Sequence, residues 1–493
     1  MTLGLAIVIS LVGGLASIAL APRLPRAAAG IGILAAAAVL VLGFGLRADD
    51  SLLIGGVALA SADPVRLVTV GWSGGLLLLA LIGLATGEWA MAIGGGLMAL
   101  GAALVAISVD QTTVAFAALA IGGVAAVAVP ALAGWLGGLD DDPPLDLLAR
   151  ALGVVAGAGL LAIVVVAWSQ SSTGPLGEVA AAGDQASALR TAVGLATVGM
   201  AAIVLFRSGA IPAHLWAARL VGAITPLAIP SILAWGSAVF VLVAVGWSRA
   251  ALAAGPLVLD DLDRWIVILF ALASLLLGGL AAMLHDDLEH VLAYSIVQDA
   301  GVALLAFASL KPDFGDPLAT WLIASAALKT ALAGWIAVTR WAFGTHRVSE
   351  LGGWARRAPL LGVTYAILLL GSVGVPGMAI FDARVALVSA ALPGSLGTLV
   401  IVAALSPLLA LGRLLAVGLG RLSLDVAAAR NERIGRLVAS FGGWTRGGPR
   451  WWLKAGAAVI RANKGLGAGV TTVLLAVLGL AIAIFGAASP TSG

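Results

Sequence analysis

Runs of about twenty apolar residues recur along this 493-residue chain, from Leu3 to Phe485, with only short polar breaks. A helix of about 20 residues crosses a hydrocarbon core of about 30 Å, and in lipid only helices and closed barrels satisfy every backbone polar group. The strands of a barrel would alternate apolar and polar residues over about ten positions, which this chain does not do. The sequence therefore predicts an all-α, polytopic transmembrane helical bundle in the lipid bilayer.

The composition excludes several classes of function. Charged residues make up only 10% of the chain, against about 25% in an average soluble domain. With no cysteine, the chain can hold neither a disulfide nor a thiolate-ligated iron–sulfur cluster. The net charge of +3 is small and its basic residues are scattered through loops, so we expect no nucleic-acid partner. No nucleotide-binding or hydrolase motif stands out, and we predict no cofactor or metal site in this chain.

About fourteen helices are predicted. Two of them are interrupted: Pro212 follows Gly209 inside the seventh, and Pro376 lies between Gly374 and Gly377 inside the twelfth. Non-helical backbone at membrane depth is tolerated where it is buried in protein or lines a wet cavity, and such breaks are common at transporter ion sites. A plain proline kink is the alternative. The predicted helices cover 3–21, 27–46, 67–86, 89–108, 112–137, 146–168, 188–217, 220–247, 264–284, 288–310, 317–342, 358–392, 395–419 and 466–487.

Basic loops set the expected orientation. Alternate loops place most Lys and Arg residues on one side, which the positive-inside rule assigns to the cytoplasm, so both termini are predicted to lie outside. The opening stretch 1–21 lacks a basic region typical of a signal peptide and is interpreted as the first helix. Segment 421–464 mixes basic residues with Trp, Val, Leu and Ile, as in an amphipathic cytoplasmic helix on the membrane surface. A solvated linker is equally consistent with it.

Three charged side chains interrupt apolar helices: Arg207, Lys329 and Arg384. A charge at mid-bilayer depth costs at least about 2.5–3.5 kcal/mol on insertion scales, so such residues usually face the protein interior and mark ion or proton paths. The three charges therefore point to transport.

Five stretches, in order and over about 180 residues, resemble one family. DLEHVLAYSIVQDAG (287–301) is similar to the pattern DLKRLLAYSSISHMG of the antiporter-like, proton-conducting membrane subunits of respiratory complex I, membrane-bound hydrogenases and multi-subunit cation/proton antiporters. RSGAIPAHLW (207–216) resembles KxPxxPFHxWL, and SAALKTAL (325–332) resembles HALFKALL. SELGGWARRAP (349–359) resembles RELGGLARRMP, and GVPGMAIFDAR (374–384) resembles GLPPLAGFxxK.

The resemblance implies two inverted five-helix repeats, each with a half-channel for protons, joined by a buried polar axis. It divides the chain into N-terminal helices (1–110), a first repeat (111–247), a second repeat (264–419), the basic segment 421–464 and a final helix (466–487). It also implies other membrane subunits as partners, with flavin, iron–sulfur clusters or a nickel–iron centre in those partners. The expected location is the bacterial inner membrane.

The resemblance also assigns residues. Arg207 stands where the family has its seventh-helix lysine, Lys329 where it has the lysine of HALFK, and Arg384 where it has a terminal lysine or glutamate. Buried lysine can lose its proton, whereas arginine effectively cannot, so the two arginines are poor proton carriers. The family's fifth-helix glutamate and eighth-helix lysine have no counterpart, and Ser325 replaces its histidine.

Asp299 and His214 complete the predicted site. Asp299 appears where the family often has histidine; it is expected either to relay protons with Lys329 or only to neutralise its charge. His214 matches the histidine after the seventh-helix break, and imidazole is the side chain suited to proton exchange near neutral pH, although a plain helix-end residue is the alternative. The mixture of His, Asp and Glu over 285–290 is expected to be a solvated turn rather than a metal site.

Three functions fit these features. The first is an antiporter-like subunit of a complex I-type redox-driven proton pump. The second is a redox-independent cation/proton antiporter or inorganic-carbon uptake module. The third is a degenerate subunit that has lost conduction and only scaffolds its partners, which the missing glutamate and lysines favour. Whether the assembly counts as an enzyme is left open by the sequence.

Overall fold

The computed structural model describes residues 1–48, 50–86, 91–136, 145–170, 186–253, 261–309, 315–420 and 451–486. Helices account for most of them, which confirms the all-α fold class. In chain order these helices are α1 (Thr2–Leu20), α2 (Pro25–Gly45), α3 (Asp63–Thr86), α4 (Met91–Ser108), α5 (Thr112–Leu136), α6 (Leu145–Gln170), α7 (Ala186–Ser208), α8 (Leu215–Val221), α9 (Gly236–Ala253), α10 (Asp261–Leu284), α11 (Leu288–Ser309), α12 (Gly315–Phe343), α13 (Trp354–Arg357), α14 (Pro359–Val373), α15 (Ala379–Ala391), α16 (Ser395–Ala403), α17 (Pro407–Leu419) and α18 (Trp451–Phe485).

Eleven of the described helical segments are long and apolar enough to cross a membrane. Three shorter apolar helices, Ala92–Ser108, Gly194–Ser208 and Pro359–Val373, fall where the remaining spans were predicted. These segments correspond one to one with the fourteen predicted spans. The chain is therefore an integral membrane protein, whereas its division into two inverted repeats stays a prediction.

A short β-hairpin between α2 and α3 was not predicted. Strand β1 (Ser51–Ile54) pairs antiparallel with β2 (Val57–Ala60) across Gly55 and Gly56, which have φ of +57° and +85°. A two-residue turn with φ positive at both positions matches strand twist, and glycine adopts it without a Cβ penalty. Sequence reasoning missed the hairpin because its residues are as apolar as the spans beside it.

Both predicted helix breaks are present. The seventh predicted helix is divided into α7 and α8, with Gly209 at a φ of +67° after α7 ends. The twelfth is divided into α14 and α15, with Gly374 and Gly377 at positive φ between them. At each break the helix ends inside the bundle, so its last carbonyl groups need partners other than its own amides.

A third helix break was not predicted, and two helices begin at other residues than predicted. The helix predicted over 395–419 is divided into α16 and α17, because Pro407 begins a new helix instead of continuing the old one. The helix predicted over 220–247 begins instead as a π-helical turn, Pro230–Trp235, which continues into α9. The last helix begins at Trp451 rather than 466, so residues 451–464 continue into the final span. Residues 421–450 of the predicted surface segment lie outside the described residues.

Two helices form the centre of the bundle. In both α11 and α12, 94% of the residues in the most apolar part of the helix are buried, against 33% in peripheral α1. Helix α12 packs against α3, α11, α14, α15 and α18. Asp299 lies on α11 and Lys329 on α12, so these two residues occupy the best-enclosed part of the molecule.

Candidate functional site

Lys329 and Asp299 form an ion pair at the centre of the bundle. Lys329 Nζ lies 3.0 Å from Asp299 Oδ2, and the two side chains are only 4% and 14% exposed. An unpaired charge at this depth would be strongly destabilising, so each of the two charges depends on the other. The structure thus brings together the two residues that the sequence suggested as partners.

The pair borders a cavity of about 40 Å³. A cavity needs at least about 10–15 Å³ to hold a water molecule, and it needs polar partners for that water. Ser208, Ser237 and Ser325 line this cavity together with the pair. The Ser325 hydroxyl is buried without a protein hydrogen-bond partner, so a water in the cavity would satisfy it. Lysine, carboxylate and hydroxyl groups around such a space are the components of a proton-transfer site.

Arg207 lies beside this cavity, at the last turn of α7. Its Nη1 donates to the carbonyl of Ile232, at 3.2 Å, and to Ser237 Oγ, at 3.1 Å. No described carboxylate pairs with this guanidinium, which is 3% exposed. The sequence indicated that α5 carries no acid to pair with Arg207. Two neutral oxygen atoms take that place, and one of them belongs to the π-helical turn.

Glycine makes room for the Arg207 guanidinium. A Cβ at Gly236 would lie 2.6 Å from Arg207 Nη2, and a Cβ at Gly123 would lie 3.7 Å from it. Larger residues at Gly236 would occupy the space of the charged group. The guanidinium position thus depends on the small residue that begins α9.

Arg384 is fully buried on α15, next to the break that precedes this helix. Its Nη1 donates to the carbonyl of Val373 at 2.7 Å, and its Nη2 donates to the carbonyl of Ser372 at 3.0 Å. These carbonyl groups lie at the C-terminal end of α14, where the helix dipole is negative and the carbonyls lack helical partners. The partial negative charges of these carbonyl groups therefore stabilise the positive charge of Arg384.

Trp321 connects Arg384 to the central pair. The guanidinium carbon of Arg384 lies 4.9 Å from the centre of the Trp321 ring, within cation–π range. The Trp321 indole nitrogen donates to the backbone carbonyl of Asp299 at 3.3 Å, and the same ring lines the cavity. Arg207 is thus connected to the cavity through Ser237, Arg384 is connected to Asp299 through Trp321, and all three cations are buried.

His214 lies apart from that series. It comes just before α8, is half-buried, and does not line the cavity. Its Nδ1 is buried without a hydrogen-bond partner, and its ring centre lies 6.0 Å from that of Tyr294 on α11. The structure therefore separates His214 from the charged residues with which the sequence grouped it.

Several partners of the charged residues were not found from sequence. They include the carbonyl groups of Ile232, Ser372 and Val373, and the ring of Trp321. Only proline and glycine positions could have indicated where these carbonyl groups become available. Pro230 begins the π-helical turn, and Gly374 follows the last residue of α14. Nothing in the sequence singled out Trp321 among fifteen tryptophans.

The fold and the buried charges together define a polytopic membrane protein with a charged interior. The family model "NADH:quinone oxidoreductase/Mrp antiporter, TM" matches residues 151–410, and the chain belongs to this family. NADH-quinone oxidoreductase subunit N 1 of Streptomyces griseus is 32% identical over 292 residues, which are 58% of this chain and 59% of that protein. The match thus spans about three fifths of that relative's length.

Solved structures share the fold at lower identity. A chain of respiratory complex I from Thermus thermophilus superposes with a TM-score of 0.64 at 20% identity, covering 97% of this chain and 99% of that one. A chain of the Mrp complex from Dietzia sp. superposes with a TM-score of 0.59 at 20% identity, covering 85% and 80%. The predicted family and fold class are confirmed.

Proposed function

We propose that this chain is an antiporter-like membrane subunit of a complex I-type, redox-driven proton pump in a bacterial inner membrane. The observation that carries the proposal is the Lys329–Asp299 pair, which is buried at the centre of the bundle and borders a cavity large enough for water. The family match and the similarity to a subunit N of NADH-quinone oxidoreductase support it. Other membrane subunits of the same assembly are the proposed partners.

In this function Lys329 is the group that changes protonation state. A desolvated lysine can release its proton, whereas the guanidinium groups of Arg207 and Arg384 stay charged. Asp299 stabilises the protonated form of Lys329 and accepts its proton when the pair becomes neutral. The serine hydroxyls that line the cavity hydrogen-bond the water through which that proton enters or leaves. The two arginines act as fixed charges that keep the path polar.

Electron carriers are proposed to belong to partner subunits. The chain has no cysteine to ligate an iron–sulfur cluster or a nickel–iron centre, so its residues do not fit either group. Flavin, iron–sulfur clusters or nickel–iron chemistry are therefore assigned to the redox arm of the assembly. This chain contributes the membrane part, where charge movement is converted into proton translocation.

Two substitutions at Lys329 test this function in the purified assembly reconstituted into vesicles. Lys329→Ala is expected to abolish proton movement coupled to electron transfer while the subunits still assemble. Lys329→Arg keeps the positive charge beside Asp299 but cannot exchange a proton, so it is expected to impair pumping as well. A Lys329→Arg assembly that pumps at the unmodified rate would instead favour a fixed-charge, scaffolding subunit.

A cation/proton antiporter without a redox arm is the second candidate. It is favoured by the family itself, which includes Mrp antiporter subunits, and by the superposition on a chain of the Mrp complex. Mild detergent extraction separates the two candidates. Copurified iron–sulfur subunits support the redox pump, whereas copurified small antiporter subunits, with Na⁺-dependent proton release from vesicles, support the antiporter.

A further inference from the structure

A second, smaller cavity borders Arg207 directly. Its volume is about 10 Å³, and its lining comes from α3, α4, α5, the end of α7, the π-helical turn and the start of α9. The cavity beside Lys329, by contrast, is connected to Arg207 only through Ser237. The smaller space is called the arginine cavity below, and the lining residues that bear on its chemistry are Trp72, Leu119, Gly123, Arg207, Ser231 and Gly236.

One guanidinium nitrogen of Arg207, Nη2, faces the arginine cavity. Cβ atoms at the lining residues Gly123 and Gly236 would lie 3.7 Å and 2.6 Å from Nη2. Both hydrogen bonds of this guanidinium come from the other terminal nitrogen, Nη1, so Nη2 donates to no residue that the structure describes. A guanidinium has five N–H donors and no acceptor. Arg207, which is 3% exposed, therefore directs unused donors into this space.

No acid lines the arginine cavity to balance this charge. The described parts of α4, α5, α7 and α9 contain no Asp or Glu, and α3 has only Asp63, about 14 Å along the helix from Trp72. The one carboxylate described at the centre of the bundle, Asp299, already pairs with Lys329 at 3.0 Å. A buried charge without a counter-charge is strongly destabilising, so Arg207 needs an anionic partner from elsewhere.

The other polar groups of the arginine cavity are also suited to an anion. Ser231 Oγ accepts the indole hydrogen of Trp72 at 3.4 Å, and the hydroxyl hydrogen of Ser231 can rotate to donate into the cavity. The nearby carbonyl groups are already bonded: that of Ser231 accepts the amide of Gly236, and that of Ile232 accepts from Arg207 Nη1. Donors without free acceptors favour an anion over a cation.

We propose that the arginine cavity binds one monoatomic anion, such as chloride, between Arg207 Nη2 and the Ser231 hydroxyl. The volume is close to the minimum that holds one water molecule, so sulfate and carboxylate ligands are too large for it. The anion supplies the negative charge that α5 lacks and leaves Asp299 to pair with Lys329. This inference goes beyond the proposed function, because anion binding requires neither proton movement nor a redox partner.

Thermal unfolding of the purified assembly tests the site, with chloride replacing sulfate at constant ionic strength. A ligand that binds only the folded state stabilises it along a saturating curve in ligand concentration. Chloride is therefore expected to raise the unfolding temperature until the site is full, and bromide is expected to do the same. An unfolding temperature without a saturable rise would mean that the cavity holds only water, and would overturn the proposal.

Leu119→Glu introduces the missing acid. Leu119 lines the arginine cavity from α5 and is 6% exposed, so a carboxylate at this position can pair with Arg207. This variant is expected to be as stable without chloride as the unmodified assembly is with it, and to show no further rise when chloride is added. Leu119→Met is the matched control: an apolar replacement of similar volume is usually tolerated, and it should keep the chloride response.

Ser231→Ala provides a second test that does not depend on a buried acid. It removes the hydroxyl donor and leaves Arg207 in place. Half of the temperature rise should then require at least about tenfold more chloride, because a hydrogen bond to a charged group is lost. If Leu119→Glu and Ser231→Ala both respond to chloride as the unmodified assembly does, the responding anion binds elsewhere and the proposal is wrong. Neither result bears on Lys329, whose substitutions test the proposed function separately.

Discussion

Arg384 stacks on Trp321, and the same tryptophan donates its indole hydrogen to the backbone of Asp299. The indole thus holds a fixed positive charge near the Lys329–Asp299 pair. Because a cation–π contact needs only the face of the ring, whereas the hydrogen bond needs the indole nitrogen, the two roles of Trp321 can be separated by substitution.

Trp321→Phe keeps a ring face for Arg384 but removes the hydrogen-bond donor, and Trp321→Leu removes both. A desolvated cation–π contact contributes about 2 kcal/mol, so the Leu variant is expected to unfold at a lower temperature than the Phe variant. Proton movement is expected to fall in both, and further in the Leu variant. Thermal unfolding of the purified assembly and vesicle assays measure the two effects. Equal behaviour of the two variants would contradict the role of the ring face.

Substitution of Gly236 tests how Arg207 is positioned. The new methyl group of Gly236→Ala would lie 2.6 Å from Arg207 Nη2 and 2.9 Å from the carbonyl of Ser231, so the guanidinium must move from its partners. Gly246→Ala in the same helix meets no atom within 4 Å and is the matched control. Because alanine favours a helix over glycine by about 1 kcal/mol, the control is expected to keep or raise thermal stability. Only Gly236→Ala is expected to slow proton movement.

Much of the fold follows from the sequence, because spans depend on apolar length alone. The breaks at Pro212 and Pro376 were predicted from prolines with glycine close by, whereas the one before Pro407 was missed because no glycine closely precedes that proline. The Lys329–Asp299 pair was suggested by family position. The oxygen partners of Arg207 and Arg384 could not be predicted, because they are backbone carbonyls freed by a π-helical turn and a helix end.

Replacing both members of the central pair separates stability from transport. Asp299→Leu alone leaves Lys329 buried without its acid, and breaking such a pair costs about 3–5 kcal/mol. Combining it with Lys329→Met removes both charges, and apolar replacement of a buried pair is often neutral for stability. The double variant is therefore expected to assemble better than Asp299→Leu, yet to move no protons. Assembly yield and vesicle assays check this, and a double variant that still pumps would rule out the pair as the proton carrier.

The family motif around Trp354 is predicted to act through packing. The Trp354 ring contacts those of Trp335 and Tyr365 at centre distances of 4.9 and 5.4 Å, and Gly418 of α17 lies against it. A Cβ at Gly418 would come 2.4 Å from the Trp354 ring, and overpacking of a core costs about 1–3 kcal/mol. Gly418→Ala should lower thermal stability, and Gly412→Ala, which meets nothing within 4 Å, should not. Similar melting temperatures for the two would refute the packing role.

The orientation of the chain can be tested with single cysteines, because the native sequence contains none. Ser51 lies on the β-hairpin, near the end of the bundle that carries the N-terminus, and Arg356 lies at the opposite end; both are exposed. The distribution of basic loops predicts that the N-terminus is outside and Arg356 is cytoplasmic. A membrane-impermeant maleimide should therefore label Ser51→Cys in intact cells, and Arg356→Cys only after the membrane is opened. The opposite labelling pattern would invert the orientation and place Arg356 on the outer face.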